Sequence, residues 1–208
     1  MSPRVFCFSI LTALLGCFCY GSIDLPVLEY FEAHRMGFPL ADFISLIGKY
    51  YDFGIGLGLA VWYWRYFCDA IRRRQAVFFT VCWAGCNLAG TLLKFLCGRY
   101  RPKMWISQGL YGFHGFGTSH AVSSFPSGHV LDAAAVVSAL WILWPRSRPW
   151  GVAWVLAMGI ARIVVRAHYV SDVLAGALLS FLCVYFINKR FYPEQDGNFS
   201  IDSRSLDK

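Results

Sequence analysis

The sequence predicts an all-α, polytopic membrane protein whose six transmembrane helices form one bundle. Three observations predict it. The 208 residues are 57% hydrophobic with a mean hydropathy of +0.49, and only 15% are charged, against roughly 25% in an average soluble domain. The apolar residues gather into six continuous runs without the alternating polarity of barrel strands, so each run must satisfy its backbone internally, as a helix. The basic clusters fall at alternate connections between those runs, which is the positive-inside pattern.

The first run covers 5–20. Arg4 before it and small residues after it resemble a cleaved signal, and Leu14-Leu15-Gly16-Cys17 approximates a lipoprotein cleavage box. A retained first helix instead gives six spans with both termini on one side, and that is the expectation taken. The remaining runs cover 43–67, 76–97, 130–144, 150–165 and 170–187. Their lengths scatter around the ~20 residues that cross a bilayer. One six-helix domain over 1–191 is expected, followed by a polar cytoplasmic tail over 192–208.

Charge sets the orientation. Arg4, Arg72, Arg73, Arg74, Arg146, Arg148, Lys189 and Arg190 fall on one side, expected to be cytoplasmic. Residues 21–42, 98–129 and 166–169 then face outward, with Lys94, Arg101, His129, Arg162 and His168 at that end. These charges break the positive-inside rule locally, so they need an anion: Asp172 or a bound substrate. The net charge of +7 therefore belongs to loops and a site, not to a nucleic-acid face. Tyr and Trp at run ends, among them Tyr50, Trp62, Trp64, Trp144 and Trp150, read as interfacial anchors. The eight cysteines form no paired CxxC motifs and read as small apolar residues.

Ionisable groups beside hydrocarbon are functional-site candidates by default, and three segments concentrate them. In the central one, Pro126-Ser127-Gly128-His129 opens an apolar helix. Free N–H groups at a helix start bind anions such as phosphate. Ser127 adds a hydroxyl, Gly128 lets a ligand approach, and His129 can reach a leaving-group oxygen. In the third, His168 and Asp172 are four apart and would share a helix face. A carboxylate accepting one ring N–H leaves the other nitrogen as nucleophile or base. Arg162 supplies a fork of donors for phosphate oxygens. In the first, Lys94 and Arg101 are seven apart, and Pro102 is expected to end the helix there. Arg99, Lys103 and Arg166 read as rim charges, Asp132 as a packing-facing neighbour of His129, and His114 and His120 as solvated loop residues.

Taken in order, Lys94-x6-Arg101-Pro102, Pro126-Ser127-Gly128-His129 and Arg162-x5-His168-x3-Asp172 resemble the signature of the type 2 phosphatidic acid phosphatase superfamily. The resemblance covers roughly 94–172. It implies a six-helix membrane phosphatase working without metal or other cofactor. His168 would form a phosphohistidine, Asp172 would orient it, and His129 would protonate the leaving group. Lys94, Arg101, Ser127, Gly128 and Arg162 would hold the phosphoryl oxygens. One position departs: the family usually has Ser before the third-segment Arg, and here stands Ala161. One lost neutral hydrogen bond contributes about 0.5–1.5 kcal/mol, so weaker binding rather than lost chemistry is expected.

The groups sit at the outer membrane–water boundary, so the expected substrate is a lipid phosphate and the expected location a bacterial inner membrane with the site facing the periplasm. The long connection 103–125 is expected to cover the site and shape headgroup choice. The resemblance to bacterial members points to lipid A or undecaprenyl diphosphate. Phosphatidylglycerol phosphate and phosphatidate are alternatives, as is a lipid phosphotransferase using the same intermediate. A degenerate lipid scaffold is disfavoured by the intact His129, His168 and Asp172.

Overall fold

The computed structural model describes residues 3–34 and 38–193, with the backbone alone at 49 and 51–53. Most of the expected tail, 194–208, lies outside the described residues. Among the described residues eight α-helices follow one another: α1 Pro3–Ser22, α2 Asp24–Ala33, α3 Pro39–Arg65, α4 Ala70–Cys97, α5 Pro102–Gln108, α6 Gly128–Leu143, α7 Arg148–Val164 and α8 Val170–Phe191. Among the described residues there is no strand, only an isolated bridge between Arg99 and Phe113. Six of these helices match the six apolar runs. The other two, α2 and α5, occupy connections read as loops from the sequence.

Among the described residues, three helices are long and apolar enough to cross a membrane: α1, α4 and α8. α6 has 16 residues, a rise of about 24 Å against a hydrocarbon core of about 30 Å. Its surroundings explain why it can be short. Val130, Ala133, Ala135, Ala139 and Ile142 are fully buried, and α6 packs against α4, α7 and α8. A helix apolar on every face belongs at the centre of a bundle. Its alanines let the neighbours close in, and the main core gathers around it from Phe78, Cys82, Cys86, Leu131, Val184 and others.

The six long helices alternate in direction. The basic ends meet at one pole: Arg74 donates to the Phe191 carbonyl and stacks on the Tyr192 ring at 4.8 Å, and Arg4 and Arg148 line a common groove. The opposite pole holds the end of α1, the start of α3, the end of α4, the start of α6, the end of α7 and the start of α8. Every chemistry-bearing segment of the sequence therefore lies at one end of the bundle.

The segment between α4 and α6 is laced onto that pole. α4 stops at Cys97 because Gly98 takes a left-handed conformation, φ 53°. A Cβ there would lie 1.6 Å from the Gly115 carbonyl oxygen, so no other residue fits. Pro102 does not end α4, contrary to expectation; it opens α5, at a position where a missing N–H costs nothing. Backbone bonds then fold the loop back: Tyr100 N–H to the Gly112 carbonyl at 3.1 Å, His114 to Gly98 at 2.7 Å, Arg101 to Ala121 at 2.9 Å and Ser124 to Arg99 at 3.0 Å.

Candidate active site

Lys94, Arg101, Ser127, Gly128, His129, Arg162, His168 and Asp172 come from five parts of the chain, and the fold brings them together. Lys94 lies in the last turn of α4 and donates to the Pro126 carbonyl. A Cβ at Gly128 would lie 3.4 Å from its Nζ, in ordinary van der Waals contact, so the ammonium sits directly beside the helix start. Ser127 is the N-cap of α6, fully buried, and its backbone N–H donates to the Asp172 carbonyl at 3.0 Å. Arg101 follows α4 and holds Ser123 through Nε at 3.4 Å and Nη2 at 3.3 Å. Arg162, in the last turn of α7, donates to the Ser45 hydroxyl of α3.

Among the buried donors of the described residues that lack an acceptor, Ser127 Oγ and Arg162 Nε belong to this set of site residues. An unsatisfied buried donor costs about 1–3 kcal/mol, so two in one cluster point to an anion that would complete them. The first N–H groups of α6, at 128–130, precede the first intrahelical acceptor and add to the same demand.

His168 lies in the turn before α8, not on the helix itself, and is buried at 4% exposure. Its Nδ1 is 2.8 Å from the Ser124 carbonyl oxygen. A carbonyl only accepts, so Nδ1 carries the proton and Nε2 the lone pair. The expectation that Asp172 takes this N–H needs correction. Asp172 Oδ2 is 3.8 Å from Nδ1, an electrostatic neighbour beyond hydrogen-bond length. Its oxygens are committed elsewhere: Oδ2 accepts from Ser124 Oγ at 2.6 Å and from Tyr169 N–H at 3.0 Å, and Oδ1 accepts from Arg99 at 2.6 Å. Asp172 thus holds Ser124, and Ser124 holds the imidazole.

Arg99 is the second correction. The sequence places it among rim charges, but it is fully buried between Asp24 and Asp172. Of the other two, Lys103 is exposed and Arg166 pairs with Glu32 at 3.0 Å. Ser45, Ser124, Asp24 and Ser171 were also missed, because isolated serines and an aspartate in a connecting segment carry no sequence signal.

Asp172 is paired to Arg99, and Lys94, Arg101 and Arg162 bring positive charge to the site. Burial pushes the His168 imidazole down to about 4, Asp172 opposes that, and Arg101 and Arg162 reinforce it. Burial also lowers Arg101, against the pull of Asp172. His129 stands within electrostatic reach of Arg162, His168, Lys94 and Arg101. Its ring lies against α3: a Cβ at Gly48 would be 2.3 Å from its Cδ2. His114 and His120 are exposed, as expected, and Asp132 is buried at 6%. Ala161 is also buried, at 2%. No group of three or more His, Cys, Asp or Glu side chains with metal-holding geometry occurs among the described residues.

Known proteins resemble this chain in sequence or in fold. Two lipid A 1-phosphatases, from Rhizobium johnstonii and Rhizobium etli, are 41% and 40% identical to the chain over 100 residues, 48% of its length. The matched stretch spans 40% and 42% of those relatives' own lengths. The crystal structure of a transmembrane PAP2-type phosphatidylglycerolphosphate phosphatase from Bacillus subtilis superposes with a TM-score of 0.59 at 17% identity, over 91% of this chain and 98% of that one; this likeness concerns the fold. The PAP2 superfamily model matches residues 75–195, more than half of the chain and all three motif segments. With the motifs clustered at one pole of a membrane helical bundle, the chain belongs to the PAP2 superfamily.

Proposed function

We propose that this protein is a membrane lipid phosphatase that cleaves a phosphate from a cell-envelope lipid through a phosphohistidine at His168. The observation that carries this reading is the pair of unpartnered buried donors, Ser127 Oγ and Arg162 Nε, in one cluster with Lys94, Arg101 and the lone-pair nitrogen of His168. Lipid A carrying a 1-phosphate is the first candidate substrate, supported by the names of the two relatives at 41% and 40% identity. Undecaprenyl diphosphate is the second.

Phosphoryl transfer depends on positioning and on stabilising charge on the equatorial oxygens. Lys94, Arg101, Arg162, Ser127 and the α6 N-terminus supply those contacts. The Nε2 lone pair of His168 attacks phosphorus, an N–P bond forms, and the bond to the lipid oxygen breaks. His129 protonates that oxygen. Water then attacks phosphorus while His129 takes its proton, the N–P bond breaks, and phosphate leaves. The cationic donors supply the charge neutralisation that metal ions supply elsewhere, so full activity in EDTA is expected.

The six long helices are read as six spans, with the basic pole in the cytoplasm and the site at the periplasmic face of the inner membrane. The test is phosphate release by the purified protein from lipid A, undecaprenyl diphosphate, phosphatidylglycerol phosphate and phosphatidate. Release from lipid A, abolished by His168→Ala, is expected. Full activity of His168→Ala sinks the mechanism, and ¹⁸O from labelled water missing from the product indicates transfer to another acceptor.

A further inference from the structure

One buried cluster stands behind the site and meets the groups assigned to phosphate at one backbone contact, the Ser127 N–H on the Asp172 carbonyl at 3.0 Å. Asp24, the first residue of α2, is 1% exposed, and Arg99 and Asp172 are fully buried. Arg99 bridges the two carboxylates. Its Nη2 donates to Asp24 Oδ2 at 2.7 Å, and its Nη1 donates to Asp172 Oδ1 and to Ser171 Oγ, each at 2.6 Å. The Tyr20, Tyr111, Phe113 and Tyr169 rings surround the guanidinium at 4.5–5.5 Å. Asp24 also caps α8 from outside: Oδ1 accepts from the Ser171 backbone N–H at 3.0 Å, and Oδ2 from the Ser171 hydroxyl. That N–H is in the first turn and has no acceptor within its own helix, and the helix dipole favours a carboxylate there.

Two carboxylates sharing one buried guanidinium are costly to desolvate, and such clusters are weak devices for stability. Position gives this one its meaning. From Asp172 the contacts continue to the Ser124 hydroxyl at 2.6 Å, and from the Ser124 carbonyl to His168 Nδ1 at 2.8 Å. At its other end α2 reaches the turn that carries His168, through Glu32 and Arg166 at 3.0 Å. The superfamily match begins at residue 75, so α2 lies outside it.

We propose that Asp24 and Arg99 are positioning residues for His168, acting through Asp172 and Ser124. The proposal rests on the reading of His168 as the nucleophile. Asp24 takes a share of the guanidinium charge, so Arg99 fixes Asp172 without cancelling its negative potential. That potential faces the ring N–H, which gains positive charge as the N–P bond forms. Asp24 also fixes the start of α8, from which Asp172 projects.

The test uses the full chain purified in detergent with a phosphorylated lipid substrate. Steady-state rates are measured together with the phosphoryl adduct trapped by alkaline quench. Asp24→Asn is expected to lower kcat and the adduct-formation rate at least about tenfold, with KM and inhibition by vanadate within about twofold, because Asp24 touches no phosphate ligand. Ser171→Ala keeps every charge and removes only the hydroxyl between Asp24 and Arg99, so it serves if Asp24→Asn does not fold. It is expected to lower kcat by about threefold at unchanged KM. Wild-type kcat in Asp24→Asn, or in Ser171→Ala where the first variant does not fold, overturns the proposal. An adduct present in wild type, lost in His168→Ala and undiminished in Asp24→Asn overturns this inference alone. No adduct in wild type overturns the phosphohistidine reading and this inference with it.

Discussion

His168 shows how a single residue takes its role from neighbours that a motif does not name. Its ring N–H is held by the Ser124 carbonyl at 2.8 Å, and Ser124 is held through its hydroxyl by Asp172. Ser124→Ala keeps the carbonyl but releases it from Asp172, so kcat is expected to fall by about tenfold with a smaller effect on KM; steady-state kinetics on the preferred lipid checks this. Burial has a second consequence. The imidazole is pushed from its ordinary 6.5 down to about 4. Between those values the unfolded chain binds a proton that the native state refuses, so stability is full above about 6.5 and falls as pH drops towards 4. Thermal unfolding in detergent should show that loss, and His168→Gln should flatten it over the same window.

At the scale of elements, close approach between helices decides the site. α3 reaches His129 only because residue 48 is glycine: an added Cβ would meet the imidazole Cδ2 at 2.3 Å and Met158 Cε at 3.2 Å. Gly48→Ala should therefore push the imidazole from its place while leaving the α3 backbone helical. General acid–base catalysis contributes about 10²–10⁴-fold, and the variant is expected to lose part of that in kcat. His129→Ala in the same assay sets the floor. Gly98 acts at the next joint. Its φ of 53° and the Gly115 carbonyl at 1.6 Å from any Cβ leave a substituted chain no way to close the 98–117 loop. Gly98→Ala should cost more than about 2 kcal/mol and lower the unfolding temperature, with Gly109→Ala, where a Cβ meets nothing within 4 Å, as the milder control.

Over the whole molecule, both poles carry positive charge, as exposed arginines at one and as half-buried or buried site residues at the other. Arg72, Arg73, Arg74, Arg146 and Arg148 stand at one end, and Lys94, Arg101, Arg162 and the two histidines at the other. On the proposed reading, the positive-inside rule puts the site outside the cytoplasm. A membrane-impermeant maleimide applied to intact spheroplasts should label Ser107→Cys on α5, and should reach Cys68, between α3 and α4, only after the membrane is opened. The reverse result inverts the topology.

The sequence by itself determined the helical membrane class, the six apolar runs and the three polar segments, because hydrocarbon-like composition and helix-start chemistry are local properties written in consecutive residues. It also brought out all eight candidate site residues, since each sits in a short run of unusual polarity. The tertiary structure decided how they work. It made the Ser124 carbonyl, not the Asp172 carboxylate, the hydrogen-bond partner of His168, and it turned Arg99 from a rim charge into a buried bridge to Asp24, 75 positions away. Those outcomes depend on which side chains meet across the bundle. A carboxylate can satisfy only the donors that packing brings within about 3 Å, and no spacing along the chain encodes that distance.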